Sequence, residues 1–454
     1  MSSRCTKSVL FAAAIIILWA GCCGAFQLIS PTQGQAVRED VKIQLPGSVV
    51  PDGGFISVLI GQPGQEVFVV AIGRDAAKLD SSNNLTFFWD SKAPYFESSD
   101  PMKPHYFKDG RYDMKVQVHD SSGKVIQVDG PDGPQPDVAT VTLELKNRVP
   151  RTNPAPGVSL VNSLAFGQVN NYRVHCDVSV FEVVNRVGLP MLGGMGLSGE
   201  AEVIQSVEDA RPGGEYLLRL REDEKTWVSA YGVKKYIYAD QEFKPQLYRL
   251  IDKYGKVIDP NMFAKQAKYQ IMDMLPTLPR QAVKEGDSWP DSMTLKIDGI
   301  TPLLKFKGSA MLDSFEWESG RECAKISSML SCDSRLSLGN GKIRSTGPLS
   351  AQVTTYFAYK TGKMLERDIR LTFDASISVG DAATEVAQPA GPPTNLPLGE
   401  DQFNEDVYGP PRAGNPIPGY GQPGVQPNTG TQPGADTSRK KGKAELNIVV
   451  RLEK

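Results

Sequence analysis

Period-two hydrophobicity constrains the fold of this chain more than any other feature. Tyr172, Val174, Cys176, Val178 and Val180 alternate with Arg173, His175, Asp177 and Ser179, and Ile369, Leu371, Phe373, Ala375 and Ile377 alternate with Arg370, Thr372, Asp374 and Ser376. Successive side chains on a strand point to opposite faces, so each run buries one face and leaves the other wet. Antiparallel sheets tolerate a solvated face; parallel sheets rarely do. The expected fold class is therefore all-β, mainly antiparallel. Gly 43 and Pro 33 supply the turns such a fold needs, and 454 residues are enough for two or three domains.

Residues 26–147 contain short apolar-rich runs at Ala36–Leu45, Phe55–Ile60, Glu66–Ile72, Leu85–Trp89, Tyr112–His119 and Val138–Lys146. Turn residues separate them, including Pro51-Asp52-Gly53-Gly54 and Ser121-Ser122-Gly123. Residues 148–157, rich in proline and without apolar periodicity, read as a linker. A second antiparallel β domain spans 158–380, with Gly199–Val207 paired to Glu215–Arg221 and Trp227–Ala230 paired to Lys234–Ala239. Gly339-Asn340-Gly341 is a hairpin turn tolerant of positive φ. A helix is expected near 260–274, with Asp259 as N-cap, Pro260 at the first helical position and Pro276 as the stop. It would cover one opening of a curved sheet or partial barrel.

Residues 381–443 are dominated by Pro, Gly, Gln, Asn and Thr and read as a disordered insertion. In 444–454, Leu446, Ile448, Val450 and Leu452 then alternate cleanly with polar neighbours. A lone strand needs a sheet, so it is expected to return to the second domain.

Residues 1–25 read as an export signal or N-terminal membrane anchor. Arg4 and Lys7 precede an apolar run from Val9 to Trp19, and small residues lead to Ala25. Cleavage after Ala25, acylation at Cys22 or Cys23, and a retained anchor all export the remainder to the periplasm, cell surface or medium. Contact with the membrane is expected only through this segment, if it is retained or acylated. Lys+Arg 50 nearly balances Asp+Glu 52, which gives no basic surface for nucleic acid.

Two resemblances accompany this reading. Phe88-Trp89-Asp90, Asp109-Gly110-Arg111-Tyr112, Val118-His119-Asp120-Ser121-Ser122-Gly123 and the strand ending Leu145-Lys146-Asn147 resemble the immunoglobulin-like modules of bacterial surface proteins. That resemblance implies an Ig-like β-sandwich over 26–147 and no particular activity. Tyr254-Gly255-Lys256-Val257, Leu275-Pro276-Thr277-Leu278-Pro279, Val283 to Trp289, Cys323-Ala324-Lys325-Ile326 and Tyr359 to Lys363 are similar to an uncharacterised β-rich family exported by bacteria. It implies an envelope location and no assigned catalytic residue.

No catalytic, cofactor or metal site is expected. Gly286-Asp287-Ser288-Trp289 is similar to the serine motif of GDSL-type esterases, but His105, His119 and His175 all precede it and α/β alternation is missing. The plainer reading is a tight turn that tucks Trp289 into the core. His175 and Cys176 are adjacent on a strand and point to opposite faces, so they do not share an ion. Asp90, Asp109, Asp120 and Asp129 could hold calcium, with turn capping as the commoner role of such aspartates. Glu222, Asp223 and Glu224 read as a solvated cluster. Tyr231, Tyr236, Tyr238 and Tyr248 form an aromatic-rich stretch that packing explains, with a ligand groove as the alternative. Cys332 shares parity with Ile326 and Leu330 and should point inward like Cys176, whereas Cys323 has the opposite parity. A Cys176–Cys332 disulfide is permitted beside the plainer reading of two buried thiols.

The expectation is a non-enzymatic envelope protein that binds or scaffolds, its partner an envelope protein, polysaccharide or lipid. The alternatives are a carrier of lipid or another apolar ligand in a curved-sheet cavity, and an unrecognised hydrolase.

Overall fold

The computed structural model describes residues 26–62, 65–97, 100–130, 133–181, 197–230, 233–237, 246–258, 274–297, 301–338, 343–378 and 439–453. The first unit contains β1 (Gln35–Val37), β2 (Asp40–Pro46), β3 (Phe55–Gly61), β4 (Val67–Gly73), β5 (Lys78–Leu79) and β6 (Asn84–Asp90). It continues through β7 (Tyr95–Glu97), β8 (Asp100–His105), β9 (Gly110–His119), β10 (Gln127–Gly130), β11 (Gly133–Pro136) and β12 (Val138–Leu145). One sheet runs β1-β12-β9-β3-β4 and a second β2-β6-β5. Their inner faces share one core, in which Val41, Ile43, Phe87 and Trp89 meet Val58, Ile60, Met114, Val116 and Val118. Every strand pair described is antiparallel except β1 with β12. The run expected as one strand from Ala36 to Leu45 is two, in different sheets. Glu39 adopts φ 55 and turns the chain between them.

The second unit holds β13 (Val169–Phe181), β14 (Leu197–Ala210), β15 (Glu215–Glu222), β16 (Trp227–Ala230), β17 (Val233–Tyr236), β18 (Gln246–Asp252) and β19 (Ser288–Ile297). Seven more strands follow: β20 (Thr301–Glu318), β21 (Arg321–Cys332), β22 (Ser337–Leu338), β23 (Ile343–Ser345), β24 (Leu349–Ala358), β25 (Lys363–Ser378) and β26 (Arg439–Leu452). All fourteen belong to one antiparallel sheet whose main path is β17-β16-β14-β13-β26-β25-β24-β21-β20-β19. Among the described residues it does not close into a barrel. The terminal strand β26 lies inside the sheet, paired to β13 on one side and β25 on the other, and Ala444, Leu446, Ile448 and Val450 are fully buried. The helix expected near 260–274 lies, but for Met274, outside the described residues, as does the Gly339-Asn340-Gly341 turn. The short pair β22–β23 flanks that turn.

The sheet forks at β14. Ser198–Glu200 pair with β16, while Val203–Ala210 pair with β15, which in turn pairs with β18. A bulge between Val207 and Asp209 accentuates the twist there. The β15–β18 wing therefore leaves the main path.

The residues between the two units are pinned at both ends. Arg148 bridges Glu316 and Val158 bridges Val283. The first unit rests on the outer face of the large sheet. Lys92 pairs with Glu318 in a largely buried contact, donates to the Trp317 carbonyl at 3.2 Å, and lies 4.1 Å from the Tyr356 ring centroid. Asn147 accepts from the Glu39 amide at 2.8 Å, and its carbonyl accepts from the Trp317 amide at 2.8 Å.

Candidate functional site

A cavity of about 420 Å³ opens at the fork, between the β14–β15–β18 wing and the edge strand β19. Gln205, Leu218, Leu220, Arg249 and Ile251 form one wall, Ser292 and Thr294 the opposite one, and Met274, Leu275 and Thr277 the floor. Register explains the first wall. Gln205 pairs with Leu220 and Leu220 with Leu247; Val207 pairs with Leu218 and Leu218 with Arg249. Two rows of side chains thus share one face.

The floor is held by long-range bonds. Trp289 Nε1 donates to the Thr277 carbonyl at 2.9 Å, Arg367 Nη1 to the Leu275 carbonyl at 3.3 Å, and the Leu278 amide to the Tyr254 carbonyl at 2.8 Å. Asp252 caps the turn beside it, accepting from the Tyr254 and Lys256 amides at 2.9 Å each. Gly255 has φ +81, and a Cβ there would sit 2.5 Å from the Pro276 carbonyl. Only glycine allows this approach.

The cavity face carries charge of one sign. Arg249 and Lys256 line it, and no acidic side chain does among the described residues. Burial pushes the Arg249 guanidinium down to about 10. Arg367, behind the floor, is fully buried; desolvation depresses its pKa, and Asp291 opposes that shift. Asp291 accepts from Ser328 Oγ at 2.7 Å.

No protein-family model, curated protein or solved structure matches this chain. The site is read from its own chemistry.

Several residues singled out in the sequence lie elsewhere. Ser288 is exposed at the start of β19, and Gly286, with φ +93, forms the turn that sends Trp289 into the core. His119 contacts Ser57 Oγ at 2.8 Å and stacks on Phe55; His175 pairs with Asp177 at 2.7 Å; His105 stacks on Tyr95. None reaches Ser288 or the cavity. Asp120 accepts from the Ser122 and Lys124 amides and caps its turn, whereas Asp109 accepts from the distant Asn147 and Arg148 amides and ties the end of the first unit to the start of β9. Asp90 accepts from the Lys92 amide. The aromatic stretch does not converge on a groove among the described residues. Tyr236 is exposed on β17, Tyr248 has opposite parity to Arg249, and Tyr231 and Tyr238 lie outside the described residues.

Two expectations are corrected. Glu222 is not solvated: it is 7% exposed, because it shares the inward parity of Leu218 and Leu220. The permitted Cys176–Cys332 disulfide is not formed, and Cys176, Cys323 and Cys332 are free and buried. β26, β25 and β24 separate the strands carrying Cys176 and Cys332, so the two lie roughly 19 Å apart along the sheet, beyond the reach of a disulfide.

Proposed function

We propose that this is an exported, non-enzymatic cell-envelope protein that holds a small amphiphilic molecule in the cavity at the fork of its large sheet. The observation that carries the reading is the lining. Leu218, Leu220, Ile251, Met274 and Leu275 offer apolar contact, and Gln205, Arg249, Lys256, Thr277, Ser292 and Thr294 offer polar groups. A concave site of this size with a few convergent polar groups is the usual form of a small-molecule site. A wholly apolar ligand would leave Gln205 Nε2, which is buried and has no hydrogen-bond partner, still unmet, which disfavours a carrier of that kind.

The first unit serves as a scaffold in this reading. Its order β1-β12-β9-β3-β4 over β2-β6-β5 supports an Ig-like assignment. So does Tyr112 at the start of β9, whose hydroxyl donates to the Lys108 carbonyl at 3.0 Å, as in a tyrosine corner. Export rests on the basic and apolar leader.

The test is native mass spectrometry of the mature protein taken from its own envelope, beside a Leu218→Trp variant that fills the cavity. A small bound molecule in the first and none in the second is expected. The reading fails if the wild type carries nothing and also takes up no neutral probe such as N-phenyl-1-naphthylamine.

A further inference from the structure

Gln205 on β14 lines the cavity, yet it is 0% exposed and its Nε2 has no hydrogen-bond partner. A buried donor without an acceptor is costly, and native structures keep few of them. Turning the amide end for end, so that oxygen and nitrogen exchange places, is the usual escape. Here the neighbouring amides forbid it. The Ala165 backbone amide donates to Gln168 Oε1 at 3.1 Å, Gln168 Nε2 to Asn170 Oδ1 at 2.9 Å, and Asn170 Nδ2 to Gln205 Oε1 at 3.0 Å. A backbone N–H only donates, so the Gln168 atom that meets it is oxygen, and each later amide is fixed in turn. The run therefore ends at the cavity in nitrogen.

An end fixed in this way selects a ligand by the direction of a hydrogen bond rather than by charge. What it needs is a lone pair. A carbonyl oxygen supplies one and brings no proton that would need an acceptor of its own. The apolar remainder of such a ligand packs on Leu218, Leu220 and Met274, which line the same space.

We propose that the cavity recognises a ligand carrying a carbonyl group, as in a ketone, ester or amide, whose oxygen accepts from Gln205 Nε2. This rests on the binding function proposed above and adds to it the chemical class of the head.

The test uses two probes of one shape, 2-nonanone and 2-methyl-1-nonene, in which the ketone oxygen is exchanged for a methylene group. Each is titrated against the full mature protein by displacement of N-phenyl-1-naphthylamine, and the readout is the ratio of their affinities. Comparing that ratio between proteins cancels the difference in how water solvates the two probes. Gln205→Met keeps the length of the side chain and removes the donor. Asn170→Leu/Gln205→Met removes both partners of the last bond, a change that costs little stability, and the half-buried Gln168 can turn its amide to water. In both variants the ratio should shift toward the alkene by roughly three- to tenfold, the loss of one hydrogen bond, while alkene affinity is retained. An unchanged ratio in the double variant would overturn the carbonyl assignment and leave the cavity reading standing. Failure of the wild type to bind either probe, with no uptake of the naphthylamine, would overturn both.

Discussion

Strands β25 and β26 are paired without a break from Glu366↔Arg451 to Ser378↔Arg439. Ser378 and Arg439, the residues on either side of 379–438, are therefore directly opposite each other, and the two strands are consecutive in sequence. Replacing 379–438 by an Asn-Gly turn, which matches the strand twist, should leave the sheet intact. Closing a loop costs about 0.6 kcal/mol for each doubling of its length. Shortening from about 60 residues to two removes nearly five doublings, so the variant should gain roughly 3 kcal/mol. Urea unfolding followed by circular dichroism measures this directly. The midpoint should rise while the slope m stays constant, because m reports the surface exposed on unfolding and the paired strands that bury it are retained. A loss of stability greater than about 1 kcal/mol, or a fall in m, would refute the reasoning and would mean that 379–438 buries surface against the sheet.

Other perturbations probe the domain contact, the first core and the buried ionisable groups. Lys92→Met leaves Glu318 charged in a nearly buried site and should cost about 3–5 kcal/mol, with most of that recovered in Lys92→Met/Glu318→Leu; equal losses in the single and double variants would show that the pair is not coupled. Tyr112→Phe removes the bond to the Lys108 carbonyl and should cost about 1 kcal/mol by urea unfolding, with no effect on cavity binding. Burial pushes the Cys176 thiol up from its ordinary 9.0 to about 12, and the Tyr172 and Tyr356 phenols rise for the same reason. Groups that stay protonated when folded but ionise when unfolded add stability that is whole below the unfolded pKa and is lost as pH rises through the folded one. Urea midpoints should therefore fall steadily between about pH 9 and pH 12, and a flat profile would contradict the burial. Cys176, Cys323 and Cys332 should resist Ellman's reagent at pH 8 until denaturant is added.

Parity made much of the sheet legible. Cys176 and Cys332 join the inner core, while Cys323 lies on the other face, as alternation along β21 requires. Yet Cys323 is as buried as the other two. The first unit covers that face through Lys92, which meets Glu318 across 226 residues of chain. Local periodicity carries no information about such a cover. The residues of the cavity were also missed, although a signal for them existed. Gln205 shares parity with Val203 and Val207, Arg249 with Leu247 and Ile251, and Arg367 with Ile369 and Leu371. A polar residue on the apolar register of a strand marks either a buried network or a site. What the sequence could not supply is the fork, because β14 divides its outer edge between β15 and β16 through pairings that are not local.

That fork is also why there is a cavity. Had β14 met a single partner along its length, the sheet could have continued round until its ends joined, and side chains would have filled the interior, as in small closed barrels. The β15–β18 wing instead diverges, and β19 is left as an edge facing it across the space. Each side has a device suited to an unclosed seam. Ser292 and Thr294 present hydroxyls from β19, and the 274–278 segment spans the gap, held by Trp289, Tyr254 and Arg367. Arg367, fully buried, donates to one carbonyl of that segment and ties it to β25.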